Sequence, residues 1–223
     1  KSIVSFSGKQ RHLGEAAANS LSTNGRNTAT AVGRLALMPH ARLAASPQAS
    51  HWQFTHSARD GGGFEMEAQY NGESRRFSGV QLLGAVLAKV RATSGAGDNP
   101  CVALVLPPCV EASASQEDKD AALACARAAM LDAAAIGGWK PVALPTAMEA
   151  AAVALSRKYP EAAAEGGEGG APPGRHVMLL DMGAASTRVG LINVDAEAGQ
   201  QLVTETGDAL LGCADFDAAV WAH

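Results

Sequence analysis

An α/β fold is the expectation, and three stretches of the sequence carry it. Cys101–Leu106 is a short continuous apolar run bounded by prolines, which reads as a fully buried strand. The alanine-rich stretch Lys119–Ile136 after it reads as a long helix. Val177–Leu180 is a second apolar run, read as a buried strand ending in Asp181-Met182-Gly183. Thr187–Val194 and Gln201–Thr206 then extend it into a meander.

The remaining elements follow in chain order. Lys1–His12 predicts two short strands around a Ser7-Gly8-Lys9 turn, and Glu15–Leu21 a short helix before an Asn24-Gly25 turn. Thr28–Leu37 is weakly helical, and Pro39 ends it. Between His51 and Phe77, Phe54, Phe64, Met66 and Tyr70 punctuate polar residues. With Gly61-Gly62-Gly63 and Asn71-Gly72 as turns, this predicts an antiparallel meander. Val80, Leu83, Val86, Leu87 and Val90 have the spacing of one helical face, and Ser94–Pro100 closes that helix. Val142–Leu144 is a brief strand candidate and Ala147–Arg157 a helix. Tyr159–Gly174 is a low-complexity insert of Glu, Ala, Gly and Pro, too poor in apolar surface to order itself.

Composition excludes several classes of function. The 223 residues, 47% of them hydrophobic, suffice for a sizeable core. A net charge of -4 without a basic stripe argues against nucleic acid as a partner. The longest apolar stretch, around Ala121–Ile136, carries Arg127 and Asp132 and is too short for a membrane span. Cys101, Cys109, Cys125 and Cys213 form no CxxC pair and read as reduced, partly buried thiols, which suits a reducing compartment such as the cytoplasm. The six histidines lack metal-ligand spacing and read as surface or capping residues. Trp52, Trp139 and Trp221 are scattered and read as packing residues. The glycine-rich stretches Ser94–Gly97 and Gly166–Gly170 lack the strand, helix and lysine of a Walker loop. Lys1 opens the chain without a methionine, and the last helix stops abruptly, so a piece of a longer protein is expected.

Chemistry concentrates near the C-terminal end. In HVMLLDMGAASTRVGLINV a strand ends in a carboxylate, a turn of small residues follows, and a strand returns. Small residues let backbone N–H groups approach phosphate oxygens, and the carboxylate of Asp181 can hold Mg²⁺ and its waters. Taken alone, a strand-Asp-x-Gly hairpin is common, and a plain tight turn with a solvated Asp is the more ordinary reading of it. A second element is GDALLGCADFD, Gly207–Asp217, a glycine-bracketed loop leading into a helix.

Together, DMGAAST and GDALLGCADFD resemble the second phosphate-binding segment of the seventy-kilodalton heat-shock chaperone superfamily. The Asp-Met-Gly form is closer to its hundred-and-ten-kilodalton branch. SIVSFSGKQRHLGEAAANS, NTATAVGRL, CVALVLPP and MEAAAVAL resemble further family segments, so the likeness covers nearly the whole chain. It implies an actin-like ATPase (ribonuclease H-like) fold. Residues 1–95 and 96–160 would be the outer and inner subdomains of the first lobe, 161–176 a flexible linker, and 177–223 the start of the second lobe. It also implies ATP or ADP with Mg²⁺ in the full-length protein. Asp181 would be the metal residue, with Gly183, Ala184, Ala185, Ser186 and Gly212 around the phosphates.

Departures from the family pattern are as informative. Gly33, beside Arg34, stands where the family has the lysine that positions the attacking water. Ala147 stands for a glutamate of the metal network, with Glu149 two residues on, and Arg188 for a second aspartate. Phosphoryl transfer rests on positioning and electrostatics, so these changes imply little or no hydrolysis. Ala184 and Ala185 add methyl groups beside the phosphate path. The family's first phosphate hairpin and adenosine-binding elements have no counterpart in these residues, so this stretch alone is expected to hold no nucleotide tightly. The resemblance implies a nucleotide exchange factor, whose partners are a seventy-kilodalton chaperone and unfolded clients. The rivals are an active chaperone ATPase in which Arg34 replaces the lysine, a sugar or acetate kinase, and a ribosome-associated pseudo-ATPase scaffold.

Overall fold

A computed structural model describes residues 1–97, 100–108, 114–158, 175–195 and 199–221. The chain forms two compact units: Lys1–Leu104 with Asp120–Leu144, and Val105–Lys119 with Pro145–His223.

In the first unit, β1 (Val4–Ser7) and β2 (Gln10–Leu13) form the expected hairpin, and β3 (Thr28–Ala29) pairs on the other side of β1. Ser5 is fully buried between Val4 and Phe6, and its polarity is satisfied locally. Its hydroxyl bonds Thr28 Oγ1 at 2.8 Å, whose own proton goes to the Asn24 carbonyl at 2.8 Å, and accepts from Asn24 Nδ2 at 3.2 Å. That demand explains two departures from expectation. Asn24 ends a helix instead of making a free turn, and Thr28–Ala29 is drawn into the sheet, so the helix expected from Thr28 begins at Val32. The left-handed Ala31 (φ 51°) makes the break. The helix expected over Glu15–Leu21 is split into α1 (Glu15–Ala18) and α2 (Leu21–Asn24), with Ser20 bonding back to the Ala16 carbonyl at 3.3 Å.

α3 (Val32–Leu37) and α4 (His40–Ala44) lead into the predicted meander of β4 (Thr55–Ala58), β5 (Phe64–Tyr70) and β6 (Glu73–Ser78). Phe64, Met66 and Ala68 line its buried face, and Phe6 of β1 stacks on Phe77 with centroids 4.2 Å apart. α5 (Gly79–Ser94) starts with a capping box, in which Gln81 N donates to Ser78 Oγ at 3.2 Å and Ser78 N to Gln81 Oε1 at 2.9 Å.

The buried arc of α5 differs from the single predicted stripe. Leu82, Leu83, Gly84 and Ala85 are all buried, whereas Val90 is 48% exposed. The helix is covered from two directions. A Cβ on Gly79 would overlap the Leu35 carbonyl of α3, and one on Gly84 would overlap Ile136 at the end of α6 (Gln116–Ile136). Trp139 packs beyond α6 and donates its Nε1–H to the Leu87 carbonyl at 2.9 Å, the core role expected of it.

β7 (Cys101–Ala103) lies parallel to β8 (Lys140–Ala143). The fully buried strand expected over Cys101–Leu106 is thus shorter and more open. Among the described residues β7 pairs only with β8, and Cys101 is exposed. Cys125 and Cys213 are exposed too, correcting the expectation of partly buried thiols, and Cys109 lies outside the described residues.

The second unit consists chiefly of α7 (Ala147–Lys158), the antiparallel sheet β9 (Arg175–Met182), β10 (Thr187–Asp195) and β11 (Gly199–Asp208), and α8 (Cys213–Trp221). Strand order is β11-β10-β9. α7 covers one face: Ala152 packs with Ile192 and Val194, flanked by Leu155, Val177, Leu179 and Leu202. Gly190 lets Met148 Sδ approach the sheet. Val177–Leu180 is therefore half-buried, because a sheet covered on one face alternates. Met178 and Leu180 are 75% and 59% exposed. The insert at Tyr159–Gly174 lies outside the described residues.

Truncating Leu82 to Ala should lower stability by about 3 kcal/mol, while Val90→Ala should change it by less than about 0.5 kcal/mol. Urea unfolding of the two variants measures the contrast, and equal losses would favour the single predicted stripe.

Candidate phosphate-binding site

The strands β9 and β10 bring the predicted hairpin together with one register. Met182 faces Thr187 and Asp181 faces Arg188 across the ladder, and Gly183 N donates to Ser186 O at 2.9 Å to close the turn. Asp181 is exposed at the mouth of this turn. Among the described residues, the amides of Ala184 and Ser186 meet no backbone acceptor, so these N–H groups remain for an anion.

The second predicted segment docks directly on this turn. At the start of α8, Cys213 N donates to Gly183 O at 3.0 Å and Ala214 N to Ala184 O at 2.9 Å. Thr187 Oγ1 donates to Leu211 O at 3.0 Å. The approach is so close that a Cβ on Gly212 would overlap the backbone of Ala184 and Ala185. Glycine is needed at position 212 for this spatial reason. Asp181, Gly183, Ala184, Ala185, Ser186 and Gly212 are thus brought together in one loop cluster.

Two carboxylates that the sequence reading does not single out hold the cluster in shape. Asp208 Oδ1 accepts from Leu210 N at 2.7 Å, and Asp215 Oδ2 accepts from Gly212 N at 2.7 Å. Their signal lies in the spacing: an Asp two residues before an amide forms an Asx turn, and one three residues after a helix start caps it. The amides of Cys213 and Ala214 are spent on the turn, so the positive end of α8 stiffens the turn from behind. The remaining donor set, two amides and the Asp181 carboxylate, fits phosphate oxygens and the water shell of a divalent cation.

Arg188, Ala147, Glu149 and Gly33 each have structural surroundings of their own. Arg188 is 7% exposed, with its Nη1 3.8 Å from Glu205 Oε1 on β11. Its side chain runs where a Cβ on Gly207 would otherwise fall. Ala147 opens α7. Glu149 is engaged in a capping box, accepting from Thr146 N at 2.6 Å while its own N donates to Thr146 Oγ1 at 3.2 Å. Gly33 belongs to the first unit, on α3, and a Cβ there would meet nothing within 4 Å. Its neighbour Arg34 donates from Nη1 to Gln48 Oε1 at 3.2 Å.

Comparison with known proteins fits this geometry. Residues 1–223 match the family model described as Hsp70 protein. The chain is 29% identical over 224 residues to the human protein described as putative heat shock 70 kDa protein 7, covering 100% of this chain and 55% of that one. It is 28% identical over 225 residues to a protein of Eremothecium gossypii described as a ribosome-associated molecular chaperone, covering 100% and 33%. Over 221 residues it is 25% identical to heat shock 70 kDa protein 16 of Arabidopsis thaliana, covering 99% and 27%. It spans from about a quarter to about half of the length of these curated relatives. The family's actin-like ATPase fold is the one expected from the sequence. With its whole length matched, the chain belongs to the Hsp70 family and corresponds to a part of its nucleotide-binding domain.

Proposed function

We propose that this chain serves a heat-shock co-chaperone that binds ATP or ADP with Mg²⁺, hydrolyses it little, and promotes nucleotide exchange on a partner seventy-kilodalton chaperone. The observation that carries the nucleotide reading is the backbone clasp between the 183–186 turn and the start of α8. Hsp70 family domains bind ATP or ADP with Mg²⁺, and the donor set here suits that ligand. The amides of Ala184 and Ser186 bind phosphate oxygens, and Asp181 orients the waters of the cation. Residues 1–95 and 96–160 supply the first lobe, 161–176 a linker, and 177–223 the opening of the second. Unfolded proteins are the clients, and the cytoplasm is the compartment. Among the described residues no helix is long and apolar enough to cross a membrane.

Little hydrolysis follows from the substituted positions. Gly33 offers no cation to a reacting water, Ala147 no carboxylate, and Arg188 carries the opposite charge to the aspartate it replaces and is turned towards Glu205. ATP then acts as a structural ligand more than a fuel. A second reading is a ribosome-associated scaffold without exchange activity, favoured by relatives whose names place them at the ribosome. An active ATPase using Arg34 is less well supported, since that guanidinium is bonded to Gln48.

Three measurements on the whole protein test these statements. Single-turnover hydrolysis should run at least about a hundredfold slower than in an active chaperone of the family. Release of labelled ADP from a partner chaperone should accelerate about tenfold or more, and no acceleration would favour the scaffold. Asp181→Ala should weaken nucleotide binding in Mg²⁺ by about tenfold and leave binding in chelator unchanged. Retained Mg²⁺ dependence would remove Asp181 from the cation site.

A further inference from the structure

His40 and His56 meet in the first unit although neither belongs to a ligand pattern in the sequence. His40 opens α4 and His56 lies on β4, and His40 Nε2 is 2.9 Å from His56 Nδ1. The two are half-buried in an aromatic cage. Phe64 stacks on His56 with centroids 5.7 Å apart, and Trp52 meets it edge-on at 5.2 Å. His40 also ties the backbone, since its amide donates at 2.9 Å to the carbonyl of Gly62 in the turn between β4 and β5. One residue therefore makes both a side-chain and a main-chain bond between α4 and this hairpin.

A bond between two imidazoles requires one nitrogen to donate and the other to accept. A neutral pair meets that requirement, and so does a pair carrying one extra proton. With two, both facing nitrogens are donors, and two like charges share an apolar cage. The surroundings offer little relief. Directly opposite His56 on β5 is Met66, whereas Glu65 and Glu67 oppose Ser57 and Thr55 and take the other face of the sheet. Glu65 is also paired with Arg76 at 3.7 Å. Arg59 and Asp60 in the turn and His51 before the cage are exposed, and the other charge on α4 is the cation Arg42. On α3, Arg34 is bonded to Gln48. Burial first, and the charge of His40 second, hold His56 below the usual imidazole range.

We propose that the His40–His56 pair is an acid-operated latch, closed while at least one ring is neutral and opened by the second proton, which frees the β4–β5 hairpin from α4. The sign follows from linkage: the open state takes up a proton on His56 more readily than the closed state. The latch therefore holds above the ordinary imidazole value of 6.5 and weakens as pH falls below it.

Hydrogen exchange read by NMR, corrected for intrinsic rates, tests this. Between about pH 7.5 and about pH 5.5 the protection of the His40 amide should fall about tenfold, while that of the Gly14 amide, bonded to Ile3 O, stays level. His56→Phe, which fills the cage, and His56→Gln, which keeps an acceptor, should both flatten the pH dependence at His40. Either flat variant that retains a dispersed spectrum supports the latch. An undiminished pH dependence in a folded variant would overturn it. So would a level His40 amide in the parent protein, or loss of protection at His40 and Gly14 together.

Discussion

The candidate site depends on a backbone clasp. Gly183 and Ala184 give their carbonyls to the first amides of α8, and Gly212 has no side chain to keep the two loops apart. Helix-terminal amides need partners, and a tight turn needs something to hold it still. Each supplies the other here. Asp208, Asp215 and Thr187 reinforce the clasp from within the same loops, which leaves Asp181 exposed and two turn amides without a backbone acceptor among the described residues. The site's shape is therefore set by main-chain geometry, and alanines at positions 184 and 185 can leave it intact.

The charged side chains near the candidate site are committed to the fold. A buried Arg188 faces Glu205 across β10 and β11, so its cation is spent within the sheet. Glu149 is likewise committed to the cap of α7. Gly33, by contrast, sits in open space, where a Cβ would meet nothing within 4 Å.

Local pattern revealed most of the elements. Turn residues placed the β1–β2 hairpin and the β4–β6 meander, and alanine content placed α6. What pattern could not show was which faces acquire neighbours. Val177–Leu180 and Cys101–Leu106 look alike as apolar runs, yet β9 is covered on one face by α7 and, among the described residues, β7 has β8 alone beside it. α5 buries a wider arc than its spacing suggests because α3 and α6 approach from different sides. In the site, the loop residues were legible from small side chains and glycines. The Arg188–Glu205 pair and the His40–His56 contact were not, since each is made by residues distant in sequence that only the fold brings together.

Backbone amide NMR of the whole protein, titrated with MgADP, addresses the phosphate cradle most directly. The amides of Ala184 and Ser186 should shift with nucleotide, while those of Cys213 and Ala214, already bonded to the turn, stay protected from exchange. A titration that saturates with Ala184 and Ser186 unmoved would show that nucleotide binds elsewhere and that the clasp is a structural turn alone.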